Sequence, residues 1–120
     1  MIVASMTQSL EDYLETIYIL IRDCESAQVR DVAKMLDVKM PSVVKALHEL
    51  KKLGLVTQEP YANIELTTKG GRVARLVLDR HRLIRKFLMQ LGVSRRNADK
   101  DACVMEHILS AETLDKIRTY

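Results

Sequence analysis

Tryptophan is absent from this chain of 120 residues, and the other aromatics amount to four Tyr and one Phe. With four Gly and two Pro there are few helix breakers, so long helices meet little interruption. The two cysteines, Cys24 and Cys103, lie far apart and suggest no disulfide framework, which makes a reducing, cytoplasmic location the default expectation. The opening residues MIVASMTQS lack the cationic stretch and long apolar run of a signal peptide. No run of apolar residues reaches membrane-spanning length, so no membrane partner is expected.

What is present is a 48% apolar chain, enough for a core, with a net charge of only +3. Such a balance says little about nucleic acid; its distribution says more. Lys39, Lys45, Lys51 and Lys52 stand against Glu49 alone between residues 38 and 53, and Arg80, Arg82, Arg85 and Lys86 against Asp79 between residues 79 and 86.

The periodicity predicts a first helix capped by Thr7 or Ser9, with Glu11 and Asp12 in its opening turn and Leu10, Tyr13, Leu14, Ile17, Tyr18 and Ile21 on its buried face. A short helix over 29–36 follows. A third helix starts at Pro41, whose missing N–H costs nothing in a first turn, and runs to about Leu53, where Gly54 stops it. Residues 55–59 and 64–67 alternate as a hairpin around Pro60-Tyr61-Ala62-Asn63. Three helices followed by a hairpin is the winged helix-turn-helix order, in which the third helix enters the major groove of double-stranded DNA. Lys39, Pro41, Ser42 and Lys45 are the expected contacts at its start, Lys51 and Lys52 are expected to meet phosphate only, and the wing tip at 61–63 is placed along the minor groove. A long helix then runs from Thr67 or Thr68 towards Gly92, another from about Ser94 or Asn97, and a last one from Ser110. The expected fold class is mainly α with a small β-hairpin: an N-terminal winged helix-turn-helix over 1–72 and a C-terminal helical domain over 73–120.

Cys103, Glu106 and His107 stand at i, i+3 and i+4 in the segment Asp101-Ala-Cys-Val-Met-Glu-His-Ile-Leu-Ser110, so one helix face would carry a thiol, a carboxylate and an imidazole. Those donors suit a divalent transition metal. Asp12 and Glu15 sit on the edge of the first helix's apolar face, where the ordinary reading is two solvated acids. His81 lies on the apolar stripe of the long helix, where a satisfied core histidine is the commoner case.

The segments LEDYLETIYIL, RHRLIRKFLMQLGV and DACVMEHILS, in this order around a winged helix, resemble the diphtheria toxin repressor family, and within it the short manganese transport regulator branch. The resemblance runs from about Gln8 to Arg118. It implies a metal-activated, homodimeric transcriptional repressor of metal-homeostasis genes, with ligands at Asp12, Glu15, His81, Cys103, Glu106 and His107. All but Cys103 keep the residue type of the manganese branch. At that position the manganese branch commonly has Glu and the iron-sensing branch has Cys, whereas Asp12 stands where the iron branch has Met. The implied cofactor is Mn²⁺ or Fe²⁺, with Zn²⁺ or other divalent ions able to bind in vitro. The iron branch's ancillary metal site would need other partners where this chain has Arg85 and Asp99, so that site is not expected.

The implied mechanism is a clamp: carboxylates of the DNA-binding lobe and donors of the C-terminal helices share one ion, which orients the recognition helices of a dimer. Dimer contacts are assigned to the C-terminal helices through Leu83, Phe87, Leu88, Leu109 and Leu114, residues that serve equally well as intramolecular core. The alternative is a winged-helix regulator with no dependence on metal. Enzymatic function is not expected, because the chain has no nucleophile elbow, Gly-rich phosphate loop or His-Glu-x-x-His pattern.

Overall fold

The computed structural model describes residues 6–60 and 62–120; residues 1–5 of the expected DNA-binding domain and Tyr61 at the expected wing tip lie outside the described residues. The chain divides into two compact units, one ending at Arg75 and the other covering Leu76–Tyr120.

The first unit contains α1 (Gln8–Cys24), α2 (Val29–Leu36), α3 (Met40–Lys52), β1 (Val56–Thr57) and β2 (Glu65–Leu66), and it takes in the start of α4 (Thr68–Gln90). Thr7 caps α1, its hydroxyl accepting from the Leu10 N–H at 3.1 Å. At the start of α2 the Asp31 carboxylate reaches back to accept from the Gln28 N–H at 3.3 Å. That helix ends at Asp37, with φ 54. Asp is among the few side chains that tolerate this left-handed conformation. Pro41 sits in the first turn of α3. At its other end Gly54, with φ 73, gives its N–H to the Lys51 carbonyl, and Leu55 gives its own to Leu50. This paired closure satisfies carbonyls the helix leaves open and turns the chain back onto its own core. Leu50 and Leu55 duly join Leu14, Ile17, Val32, Val43, Leu47, Val56 and Ile64 in one buried cluster.

The hairpin is shorter than its alternation suggests. β1 and β2 are antiparallel, with only Val56 opposite Leu66 and Thr57 opposite Glu65. Pro60 has no N–H for a ladder, and the Gln58 side chain instead donates to the Ala62 carbonyl at 3.0 Å. The return of the wing is pinned at its base: the Ile64 N–H donates to the Ala27 carbonyl at 2.8 Å, and the Gln28 amide to Asn63 Oδ1 at 3.1 Å.

Thr67 joins three elements. Its hydroxyl donates to the Gly54 carbonyl at 2.6 Å, its N–H to the Leu55 carbonyl at 3.1 Å, and its Oγ1 accepts from the Gly70 N–H at 2.9 Å. The start of α4 is thereby pressed onto the end of α3. A Cβ built at Gly70 would stand 1.8 Å from the Leu55 carbonyl oxygen, so only glycine fits.

In the second unit α4 ends at Gly92, with φ 101, again closed by a pair of bonds, Gly92 N–H to Met89 O and Val93 N–H to Leu88 O. Ser94 caps α5 (Arg95–Met105) and Ser110 caps α6 (Ala111–Thr119). Ile84, Ala102 and Leu114 form the core, with Leu83, Leu88, Met105 and Leu109 packed against it. Of the leucines that the sequence offered equally to core or dimer interface, Leu114 is buried within this unit, and Leu83, Leu88 and Leu109 pack against its core while remaining partly exposed. Phe87 meets Tyr120 edge-on, ring centroids 5.4 Å apart. The large apolar side chains left exposed in this unit are Leu76, Met89, Leu91, Val104, Ile108 and Tyr120.

Gly70→Ala is expected to cost at least about 1–3 kcal/mol, because the intruding methyl meets backbone and not a yielding side chain. Urea unfolding checks this: the midpoint should fall with little change in slope, and an unchanged midpoint would show that α4 is not held this close to Leu55.

Candidate metal centre and nucleic-acid interface

The expected recognition helix shows the division of faces that its pattern requires. Val43, Ala46, Leu47 and Leu50 are buried, while Pro41, Ser42, Lys45, Lys51 and Lys52 are exposed, as is Lys39 just before the helix. Lys52 spends part of its charge on Glu49, 3.7 Å away in an exposed pair of small energetic weight. Two features of this face were not expected. Met40 and Val44 are about half exposed, at 51% and 55%, and His48 is exposed one turn further on. The positions 40, 44 and 48 form an i, i+4 row, so the outward surface mixes apolar groups with cations.

The expected metal ligands are distributed over both units. Asp12 and Glu15, one turn apart on α1, are half-buried in the first unit. Beside them Glu11, expected as an ordinary first-turn acid, is fully buried. Its spacing of three and seven from Leu14 and Tyr18 was the signal for this, outweighed by the residue type.

His81, Cys103, Glu106 and His107 belong to the second unit. The helix expected to carry the last three ends at Met105, which corrects the picture of one shared helical face. Glu106 is the terminal cap, and the chain then tightens: His107 N–H bonds to the Val104 carbonyl and Ile108 N–H to Met105. Such three-residue closures are how a helix ends when another must begin nearby, here at Ser110. The consequence is chemical. Neighbouring side chains on a regular helix point apart, yet His107 Nε2 comes within 3.2 Å of Glu106 Oε1. From α4, His81 Nδ1 lies 3.1 Å from the other oxygen, Oε2. Cys103, in the last turn of α5, is exposed.

The Glu106 carboxylate is thus fully buried with one imidazole nitrogen beside each oxygen. Neither oxygen has a hydrogen bond of acceptable geometry among the described residues. An ionised carboxylate in such a place is costly unless a cation compensates it. Two imidazoles and a carboxylate, close but not aligned for hydrogen bonding with one another, are a donor set that fits a divalent transition metal.

The other side of His81 is also occupied. Its Nε2 is 2.7 Å from Asp99 Oδ1, and the Arg85 guanidinium donates to that same oxygen at 3.0 Å. The hydrogen bond from His81, and to a smaller degree Arg85, holds the Asp99 carboxyl below the usual carboxylate range, against an opposing contribution from burial. Arg85 and Asp99, which the sequence offered only as a reason to expect no ancillary metal site, are thus bonded to each other and to an expected ligand.

Comparison with known proteins covers nearly the whole chain. Residues 5–64 match the iron dependent repressor N-terminal DNA binding domain, and residues 67–120 match the iron dependent repressor metal binding and dimerisation domain. An uncharacterized HTH-type transcriptional regulator of Methanocaldococcus jannaschii is 39% identical over 117 residues, covering 96% of this chain and 94% of its own length. The transcriptional regulator MntR of Escherichia coli O6:H1 is 38% identical over 117 residues, covering 98% of this chain and 76% of its own. Among solved structures, the manganese regulator SloR superposes with a TM-score of 0.82 at 31% identity, over 95% of this chain and 54% of that one. The chain therefore spans about half the length of that structural relative.

Replacing Glu106 with Met removes the buried carboxylate and keeps most of its volume. With metal chelated, this variant is expected to be more stable than the parent by about 1–3 kcal/mol, read from urea unfolding in EDTA. A destabilised variant would mean that the carboxylate is already fully compensated by its protein neighbours.

Proposed function

The chain belongs to the iron-dependent repressor family, and on that premise we propose that it is a transcriptional repressor whose DNA affinity is raised by Mn²⁺ or Fe²⁺. The observation that carries this reading is the buried Glu106 carboxylate set between His81 and His107. Asp12 and Glu15 are the carboxylates that the DNA-binding unit would contribute to the same ion, and Cys103 would add a thiolate. The bound cation supplies the positive charge that offsets the mutual repulsion of these acids. Because these ligands come from separate elements, metal binding and the ordering of those elements would be one equilibrium.

In a two-fold dimer that ordering sets the spacing of the two α3 helices, which must match roughly 34–36 Å or a multiple of it. Lys39, Pro41, Ser42 and Lys45 would meet the major groove, and Lys51 and Lys52 the phosphates. DNA must in turn tighten metal binding by the factor by which metal tightens DNA binding. The exposed Val104 and Ile108, four residues apart, are candidates for the dimer contact. No described helix is long and apolar enough to cross a membrane; a cytoplasmic regulator with no enzymatic role is the reading we adopt.

The direct test is anisotropy with a duplex selected from a random library in the presence of Mn²⁺, at fixed salt because phosphate contacts make the affinity salt-dependent. Mn²⁺ or Fe²⁺ should tighten binding, and EDTA should reverse it. Lys45→Ala should weaken DNA binding and leave Mn²⁺ affinity of the free protein unchanged. Equal DNA binding with and without EDTA would indicate the metal-independent regulator instead.

Thiolate favours softer ions and carboxylate favours Mn²⁺. Cys103→Glu should therefore shift activation towards Mn²⁺ over Fe²⁺ when the two are titrated anaerobically. An unaltered ratio would remove Cys103 from the ligand set.

A further inference from the structure

We propose that Asp99, held by Arg85, is a positioning residue that fixes the ring of His81 with Nε2 protonated and Nδ1 presented to the metal. The proposal rests on the reading of His81 as a ligand. Asp99 itself would touch no metal, since its contact is with the far nitrogen of the ring.

The argument starts from which atom can donate. An ionised carboxylate only accepts hydrogen bonds. At 2.7 Å between His81 Nε2 and Asp99 Oδ1, the proton must therefore sit on Nε2. In the neutral ring that leaves the lone pair on Nδ1, the atom 3.1 Å from Glu106 Oε2. Without the carboxylate at Nε2, the ring could place its proton on Nδ1, which would leave no lone pair on that atom for the metal. Asp99 works against that state.

Arg85 has a separate task. Asp99 is half exposed, with a side-chain accessibility of 53%, and an exposed carboxylate would ordinarily sample several rotamers. The guanidinium donates at 3.0 Å to the very oxygen that His81 uses, so the acceptor is held from two directions. His81 and Arg85 are four apart on α4 and Asp99 lies on α5, so the three residues join two elements of one unit. A hydrogen bond from a ligating imidazole to a carboxylate orients the ring and raises its basicity, and losing such a partner typically lowers metal affinity about 10–100-fold.

The test uses the full chain, metal-free, at pH 8, with Mn²⁺ as the probe. Long-range proton–nitrogen spectra of the imidazoles, with the His81 signal identified by its loss in His81→Ala, should show the Nε2–H tautomer in the parent. Asp99→Ala should lose that preference and bind Mn²⁺ about 10–100-fold more weakly, whereas Asp99→Asn, which keeps an acceptor oxygen, should retain the tautomer and lose less. An unchanged tautomer and Mn²⁺ affinity in Asp99→Ala, with binding weakened in His81→Ala, would overturn the positioning role and leave the metal site standing. Weakened Mn²⁺ binding in Asp99→Ala with an unchanged tautomer would also overturn it. Full Mn²⁺ affinity in His81→Ala would remove the ligand assignment itself, and this proposal with it.

Discussion

The second unit is arranged around one costly group, the Glu106 carboxylate. It is fully buried beside two imidazole nitrogens, and neither oxygen has a well-aligned hydrogen bond among the described residues. A fold selected for stability alone would replace such a group with an apolar side chain of similar size. Its presence makes sense where a cation enters, because binding energy then offsets what burial costs. The early end of α5 follows from the same requirement. Adjacent side chains on a regular helix diverge, and past the tightened turn His107 Nε2 stands 3.2 Å from Glu106 Oε1.

The first unit answers to a different constraint, the exposure of one helix face. α3 is fastened on its inner side by Val43, Ala46, Leu47 and Leu50 and at its end by Gly54 and Leu55. Thr67 and Gly70 add a second fastening, where the hairpin closes and α4 begins. A helix held in this way presents its outer side chains on a firm base, which is what the proposed readout of base edges would demand. The mixture found there, half-exposed Met40 and Val44 among Lys39, Ser42 and Lys45, is suited to a duplex that offers both methyl groups and phosphates.

Much of this was legible from residues alone because it depends on local chemistry. Helix starts at Thr7, Ser94 and Ser110 and helix ends at Gly54 and Gly92 are set by bonds within a few positions of each other. The winged order and the buried face of α3 follow from hydrophobic period, which is also local. Residue type misled in places where burial overruled it. Glu11 is an acid fully inside. Leu83, Leu88, Leu109 and Leu114 were undecided between core and interface, since an apolar side chain does not reveal which apolar surface it meets.

The sequence by itself determined the fold class, the helix with an exposed cationic face and the types of donor available to a metal. Periodicity, caps and side-chain chemistry are properties of short stretches and do not depend on tertiary contacts. Only the tertiary structure decided how those donors are aimed. That His81 has Nδ1 towards Glu106 and Nε2 towards Asp99 depends on residues 18 and 25 positions away in the chain, brought together by the packing of α4 against the segment that follows it. No spacing rule encodes that approach, because it depends on where one helix ends and on contacts between residues far apart in the chain.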